Sequence, residues 1–202
     1  RMQDIFVSTV LQPEHRAFVG KNMAELGQMQ GKTPLEAMID LALAENLETQ
    51  FLIRGFANGD ENAVRSMTTN PYILTGGSDG GAHIAFLCQV TYSSYLLSHW
   101  VREKKAMTLE QAVRKLTFDP AVLLGIPNRG LLNTGMAADL TIFDPDKVQA
   151  KEKEFVKDLP GGASRLISRG EGYRYTVVNG QIVLRDGEPT GACSGRVLRS
   201  YE

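Results

Sequence analysis

Gly76-Gly77-Ser78-Asp79-Gly80-Gly81-Ala82-His83 follows the short apolar run Pro71-Tyr72-Ile73-Leu74-Thr75 and precedes a long amphipathic segment, Ala85 to Lys104. A strand, a glycine-rich loop carrying one acid, then a helix is how α/β barrels place their chemistry. The glycines let the backbone bend sharply and let a ligand come close. A carboxylate at the carboxyl end of a buried strand is costly unless it meets a cation or hydrogen-bond donors. The competing role for Asp79 is a helix cap, the commoner one for an isolated acid before a helix. The surrounding glycines and the nearby His83 favour chemistry.

The wider composition is that of an ordinary globular protein. Of 202 residues, 43% are hydrophobic and 22% charged, and the formal net charge is −1. Without a basic run, a nucleic-acid or membrane-surface partner is not expected. No apolar stretch is long enough to span a bilayer, and residues 1–10 do not read as a signal peptide. Cys88 and Cys193 match no metal or redox spacing, and two reduced thiols fit a cytoplasmic protein. Arg1-Met2-Gln3 passes at once into a strand-like run, which reads as the middle of something larger.

Upstream of the loop, Ile5 to Val10 reads as a strand, and Ala24 to Gln30 as a short helix closed by Gly31. Thr33-Pro34-Leu35-Glu36 opens a helix with a capping box, and Leu35, Met38, Ile39, Ala42 and Leu43 form its expected buried face. Thr49 to Ile53 is a second strand, Glu61 to Met67 a helix, and Pro71 to Thr75 a third strand. Downstream, Val90, Tyr95, Leu96, His99 and Trp100 fall broadly on one side of a helix. Thr108 with Gln111 caps the next, whose face is Leu109, Ala112, Val113 and Leu116. Asp119-Pro120 starts a short helix that Gly125 stops. After Pro127 the pattern turns to β. Asp139 to Asp144 alternates, Lys147 to Asp158 reads as a solvated segment, and Tyr173 to Arg185 is a hairpin on the Asn179-Gly180 turn. The tail from Gly187 reads as irregular.

In order and spacing these motifs resemble the N-acyl-D-amino-acid deacylases (D-aminoacylases) of the metal-dependent amidohydrolase superfamily. The likeness rests on Ser78 to His83, His99-Trp100-Val101-Arg102, Thr117 to Ala121 and Gly125 to Gly130. It extends through Gly135-Met136-Ala137-Ala138-Asp139-Leu140-Thr141-Ile142-Phe143-Asp144, Val178-Asn179-Gly180, Thr190-Gly191 and Gly195 to Arg199, and upstream to Gly20 to Leu26. It implies an α/β chain: the C-terminal portion of a (β/α) barrel in residues 1–126, then a small β-sandwich portion in 127–202. It also implies hydrolysis of the amide bond of small N-acyl-D-amino acids, with zinc as the cofactor of the complete enzyme. In the superfamily the acid at the position of Asp79 contacts the metal. It passes a proton from the attacking water to the leaving nitrogen, so Asp79 is both the catalytic and the metal-contacting candidate. Ser78, Gly80 and His83 are the substrate-binding candidates.

The superfamily also uses a His-x-His pair, a bridging ligand and two later histidines. Only His15, His83 and His99 are present, with no His-x-His pair, and a catalytic zinc takes about three protein ligands. The chain alone therefore reads as an incomplete, inactive fragment, able to self-associate through exposed barrel strands. Ser78 reads as bonding loop backbone, since no base partner is evident. For His83, lining a pocket and pinning the loop remain equally open. His15 reads as solvated, His99 and Trp100 as packing residues, and Cys88 as buried and inert. Arg54 and Arg65 could meet a substrate carboxylate, but nothing local selects them. Two other functions compete: a cyclic-amide hydrolase of the dihydropyrimidinase or dihydroorotase kind, and a non-catalytic module built on the deacylase scaffold.

Overall fold

The computed structural model describes residues 2–198 apart from Phe56, Asp79, Ala82 and Phe86. It divides into two compact units, Arg1–Val64 and Arg65–Glu202.

The first unit is built on two cooperating caps. Strand β1 (Ile5–Thr9) leads through a 3-10 turn to helix α1 (Met23–Gln30), helix α2 (Pro34–Ala44) and strand β2 (Gln50–Ile53). Asn22 Oδ1 accepts the Glu25 amide at 2.9 Å while the Glu25 carboxylate accepts the Asn22 amide at 2.8 Å. Thr33 and Glu36 repeat the arrangement at the start of α2, with Pro34 at its first position. These caps satisfy orphan amides and set where each helix begins. β1 and β2 pair antiparallel, Val7 opposite Phe51. Val7, Met23, Leu26, Ala37 and Leu41 close the core, with Phe18, Met38 and Phe51 against it. Burying Val7, Met23, Leu26 and Leu41 contributes roughly 1.5–3 kcal/mol each.

The buried face of α2 differs from expectation. Ala37 and Leu41 are buried, whereas Leu35, Ile39 and Leu43 are 57%, 48% and 61% exposed. α2 is apolar on most sides, so periodicity admits two stripes. The inner one continues one turn on to Glu45, which is fully buried and tied to the chain leaving β1.

Helix α3 (Glu61–Thr69) runs through the division between the units. In the second unit, α4 (Tyr92–Tyr95) continues as a π-helix over Leu96–Glu103. The Lys104 amide donates to the His99 carbonyl, five residues back, at 2.8 Å. Leu96, Leu97 and Trp100 are buried, but Val90 and Tyr95, expected beside them, are each 49% exposed; Val90 lies before α4 begins and so shares no helix face with them. His99 lies against Tyr95 and Trp100, in the packing role expected of it. Helices α5 (Leu109–Leu116) and α6 (Phe118–Leu123) follow, α5 with the Thr108–Gln111 capping box.

The rest is β: β3 (Leu140–Phe143), β4 (Gln149–Ala150), β5 (Glu154–Val156), β6 (Arg165–Ile167), β7 (Gly170–Glu171), β8 (Tyr173–Val178), β9 (Gln181–Arg185) and β10 (Glu188–Pro189). A four-stranded sheet has the order β10-β9-β8-β3, and β4–β7 and β5–β6 form two small ladders. Asn179 and Gly180 turn the β8–β9 hairpin at φ of 48° and 80°, the positive pair that a type I′ turn needs. Arg129 braces this turn, bonding Asp139 at 2.6 Å and the Asn179 side chain at 3.2 Å. The Asn179 amide, then Arg129, hold the Asp139 carboxyl below the usual carboxylate range against the opposing effect of burial.

Three expectations are corrected. Pro71–Thr75 is not a strand: no described strand pairs with it, and Tyr72 is 94% exposed. Lys147–Asp158 is not merely solvated, because it holds β4 and β5 and buries Val148. The tail is not irregular throughout, since β10 pairs with β9. The fold is mixed α/β. All described ladders are antiparallel, and no closed barrel forms among the described residues.

Candidate active-site loop

The approach to the loop starts where α3 ends. The Asn70 amide bonds the Met67 carbonyl at 3.2 Å, and the Ile73 amide bonds the Asn70 carbonyl at 3.3 Å. The Lys115 ammonium, from the last turn of α5, donates to the carbonyls of Asn70 at 2.6 Å and Ile73 at 2.8 Å. Beyond this, Gly77 and Gly81 bend the chain at φ of 76° and 91°. The Ser78 hydroxyl oxygen accepts the Gly80 amide at 3.2 Å, and no basic side chain bonds it among the described residues. It is thus a loop brace, as its sequence setting suggested. Gly80 lies close to its surroundings: a Cβ there would stand 2.9 Å from Ser78 Oγ and 3.0 Å from Val90 Cγ1. His83 is exposed, adopts a φ of 48°, and accepts the Leu87 amide on its carbonyl at 2.9 Å. The far side of the loop is tied by the Leu166 amide to the Ile84 carbonyl at 2.8 Å. Asp79, the proposed acid, lies outside the described residues.

Two features were missed by reading the sequence. One is Lys115, which is 6% exposed although its residue type predicts a solvated position. The other is His15, expected to be solvated. Its Nδ1 bonds the buried Glu45 carboxylate, which also accepts the amides of Leu11 and Gln12, the latter at 3.1 Å. An ionised carboxylate only accepts, so Nδ1 carries the proton. Burial opposes ionisation of Glu45, but the His15 bond and the two amides outweigh it and hold the carboxyl below the usual range. A depressed folded pKa stabilises above the unfolded value of about 4.3 and is lost as pH falls through the folded value. Urea midpoints should therefore fall more steeply below about pH 4.3 in the wild type than in Glu45→Gln. Parallel pH curves would contradict this account of Glu45.

The described residues contain no group of three or more His, Cys, Asp or Glu able to hold a metal ion. His15 is committed to Glu45, and His99 bonds Glu103 at 3.0 Å. Cys88 is buried and Cys193 exposed, both as free thiols. Arg54 packs over the Phe6 ring at 4.1 Å. A cleft of about 510 Å³ in the second unit is lined by Ser94, Lys151, Arg169, Tyr173 and Arg174 among others, but by no described residue of 76–83. No described helix is long and apolar enough to cross a membrane.

Comparison with known proteins decides the family. The sequence model described as "Amidohydrolase family" matches residues 9–184. This chain belongs to the amidohydrolase family. The amidohydrolase chain is 28% identical to a D-aminoacylase of Alcaligenes xylosoxydans xylosoxydans over 181 residues, covering 89% of this chain and 34% of that protein. It is 35% identical to a dihydroorotase of Lactobacillus johnsonii over 115 residues, covering 55% of this chain and 26% of that protein. Among solved structures it resembles the N-acyl-D-glutamate deacylase of Bordetella bronchiseptica, complexed with zinc and a phosphonate inhibitor. That match has a TM-score of 0.50 and 28% identity, covering 93% of this chain and 37% of that one. The chain spans about a third of the length of curated relatives that it matches along most of its own length. Zinc in a structural relative speaks for metal use in the family, yet the described residues of this amidohydrolase do not make a metal site by themselves.

Proposed function

We propose that this chain is the Asp79-bearing part of an enzyme that hydrolyses the amide bond of N-acyl-D-amino acids. What carries the reading is the family match running through the Gly76–His83 loop, together with the D-aminoacylase relative. Asp79 is proposed as the catalytic carboxylate, taking a proton from the attacking water and returning it to the leaving amine. Ser78, Gly80 and His83 are proposed to shape the substrate's surroundings, a reading that rests on their place beside Asp79 in the loop. Zinc is the cofactor proposed for the complete enzyme, with Asp79 as the one ligand that the resemblance nominates. Among the described residues no group of three or more His, Cys, Asp or Glu could hold a metal ion, so no step is assigned to the metal.

Residues 1–126 are proposed as the barrel portion and 127–202 as the sandwich portion, in a cytoplasmic protein. The β10-β9-β8-β3 sheet supports the second assignment. Exposed Leu35, Ile39, Leu43, Leu52 and Ile53 favour self-association of the 202-residue chain on its own. Light scattering should show oligomers, and a monodisperse monomer at high concentration would contradict this.

A second reading, hydrolysis of a cyclic amide, is favoured by the dihydroorotase relative. The test is the product released by the protein expressed from its complete reading frame. Free D-amino acid from an N-acyl-D-amino acid supports the first reading. Ring opening of dihydroorotate without it supports the second, and neither activity leaves the non-catalytic module.

A further inference from the structure

Lys115 is the buried charge that nothing so far requires. It sits in the last turn of α5, where the helix dipole favours a cation, and its ammonium makes its described bonds to two backbone carbonyls, with no carboxylate among its described partners. Removing an ammonium from water is costly unless donors are well used, and a buried apolar side chain would avoid that cost. What the ammonium holds is the segment entering the Asp79 loop. Its other ties are local, the Tyr72 amide to the Asn70 side chain at 2.9 Å and the Ile73 amide to the Asn70 carbonyl at 3.3 Å. Tyr72 is 94% exposed, and Ile73 and Leu74 are only partly buried at 41% and 37% exposure, so packing alone does not fix the segment. No described strand pairs with it, and residues 74–77 make no hydrogen bond among the described residues.

We infer that Lys115 is a positioning residue: its ammonium, chelating the Asn70 and Ile73 carbonyls, sets the course of the backbone into the Gly76–His83 loop. Its catalytic consequence rests on the reading of Asp79 given above; the structural claim does not. An error of about 1 Å in placing a catalytic group can cost on the order of 10²-fold in rate.

The test is Lys115→Met in the protein expressed from its complete reading frame, followed by hydrogen exchange of peptides covering 70–78, circular dichroism and steady-state kinetics. The variant should keep its helical signal and exchange roughly tenfold faster or more at 70–78, with α1 and α2 unchanged. Its kcat on an N-acyl-D-amino acid should fall by about 10²-fold, while KM changes little because no substrate contact is removed. Wild-type exchange at 70–78 in a folded Lys115→Met would overturn the inference. So would faster exchange with an unchanged kcat, since the segment would then not position anything. If the wild type hydrolyses no N-acyl-D-amino acid but the exchange still rises at 70–78, the clamp stands and the substrate assignment fails. Should Lys115→Met not fold, Lys115→Arg carries the test. It keeps the charge and its donors, but the larger planar guanidinium does not fit the ammonium's place between two carbonyls at 2.6 and 2.8 Å without moving them. A smaller rise confined to 70–78 is expected, and wild-type exchange there overturns the inference.

Discussion

Asp79→Asn is expected to lower kcat on an N-acyl-D-amino acid by about 10²–10⁴-fold, the range that a positioned general base supplies. The amide matches the carboxylate in size and can still accept a hydrogen bond, but it cannot take a proton at neutral pH. The fold, the circular dichroism spectrum and most of the bound metal should therefore persist. Retention matters because loss of metal would mimic loss of a base, so metal content must be measured on the same sample. Wild-type turnover in Asp79→Asn would remove the acid from the mechanism and return it to a capping role.

The second large effect is structural. Gly172→Ala should destabilise the protein by about 3 kcal/mol or more, among the costliest single substitutions. Gly172 has a φ of +82°, and a Cβ there would stand 2.5 Å from Val148 N and 2.7 Å from the Lys147 carbonyl carbon. These are backbone atoms, which cannot swing aside as a side-chain tip can. Val148 is 1% exposed, and the Gly172 carbonyl accepts the Asp144 amide at 2.8 Å. The 144–148 turn and the link between β7 and β8 are thus pressed together, and a methyl group would part them. Gly187→Ala is the control. Its φ is +86°, but nothing lies within 4 Å of a Cβ, so only the left-handed penalty of about 1–2 kcal/mol remains. Equal urea midpoints for the two variants would contradict the close backbone contact.

Local signals were the readable part of this fold. Capping boxes at Thr33 and Thr108 and the Asn179-Gly180 turn each stand where the sequence places them, because their geometry is settled within a few residues. What failed depends on partners far along the chain. The apolar run at Pro71–Thr75 has strand composition, but a strand needs a neighbour to bond, and the segment instead gives two carbonyls to Lys115. α2 offers two apolar stripes, and the buried one is chosen by packing against β1 and α1 that periodicity cannot see. The same limit hid Glu45 and His15, thirty residues apart and joined only by folding. Of the candidate loop, the Ser78 brace was legible because an ST-type turn is local. The Lys115 clamp was not, since a lysine in a helix gives no sign of which way it faces.

The central claim is tested most directly by stereochemistry. The protein from its complete reading frame, supplied with zinc, should be offered matched N-acetyl-D- and N-acetyl-L-amino acids and dihydroorotate, with free amine and ring-opened product measured. The account predicts amine release from the D-substrates alone. Ring opening of dihydroorotate, or equal release from both enantiomers, would contradict it.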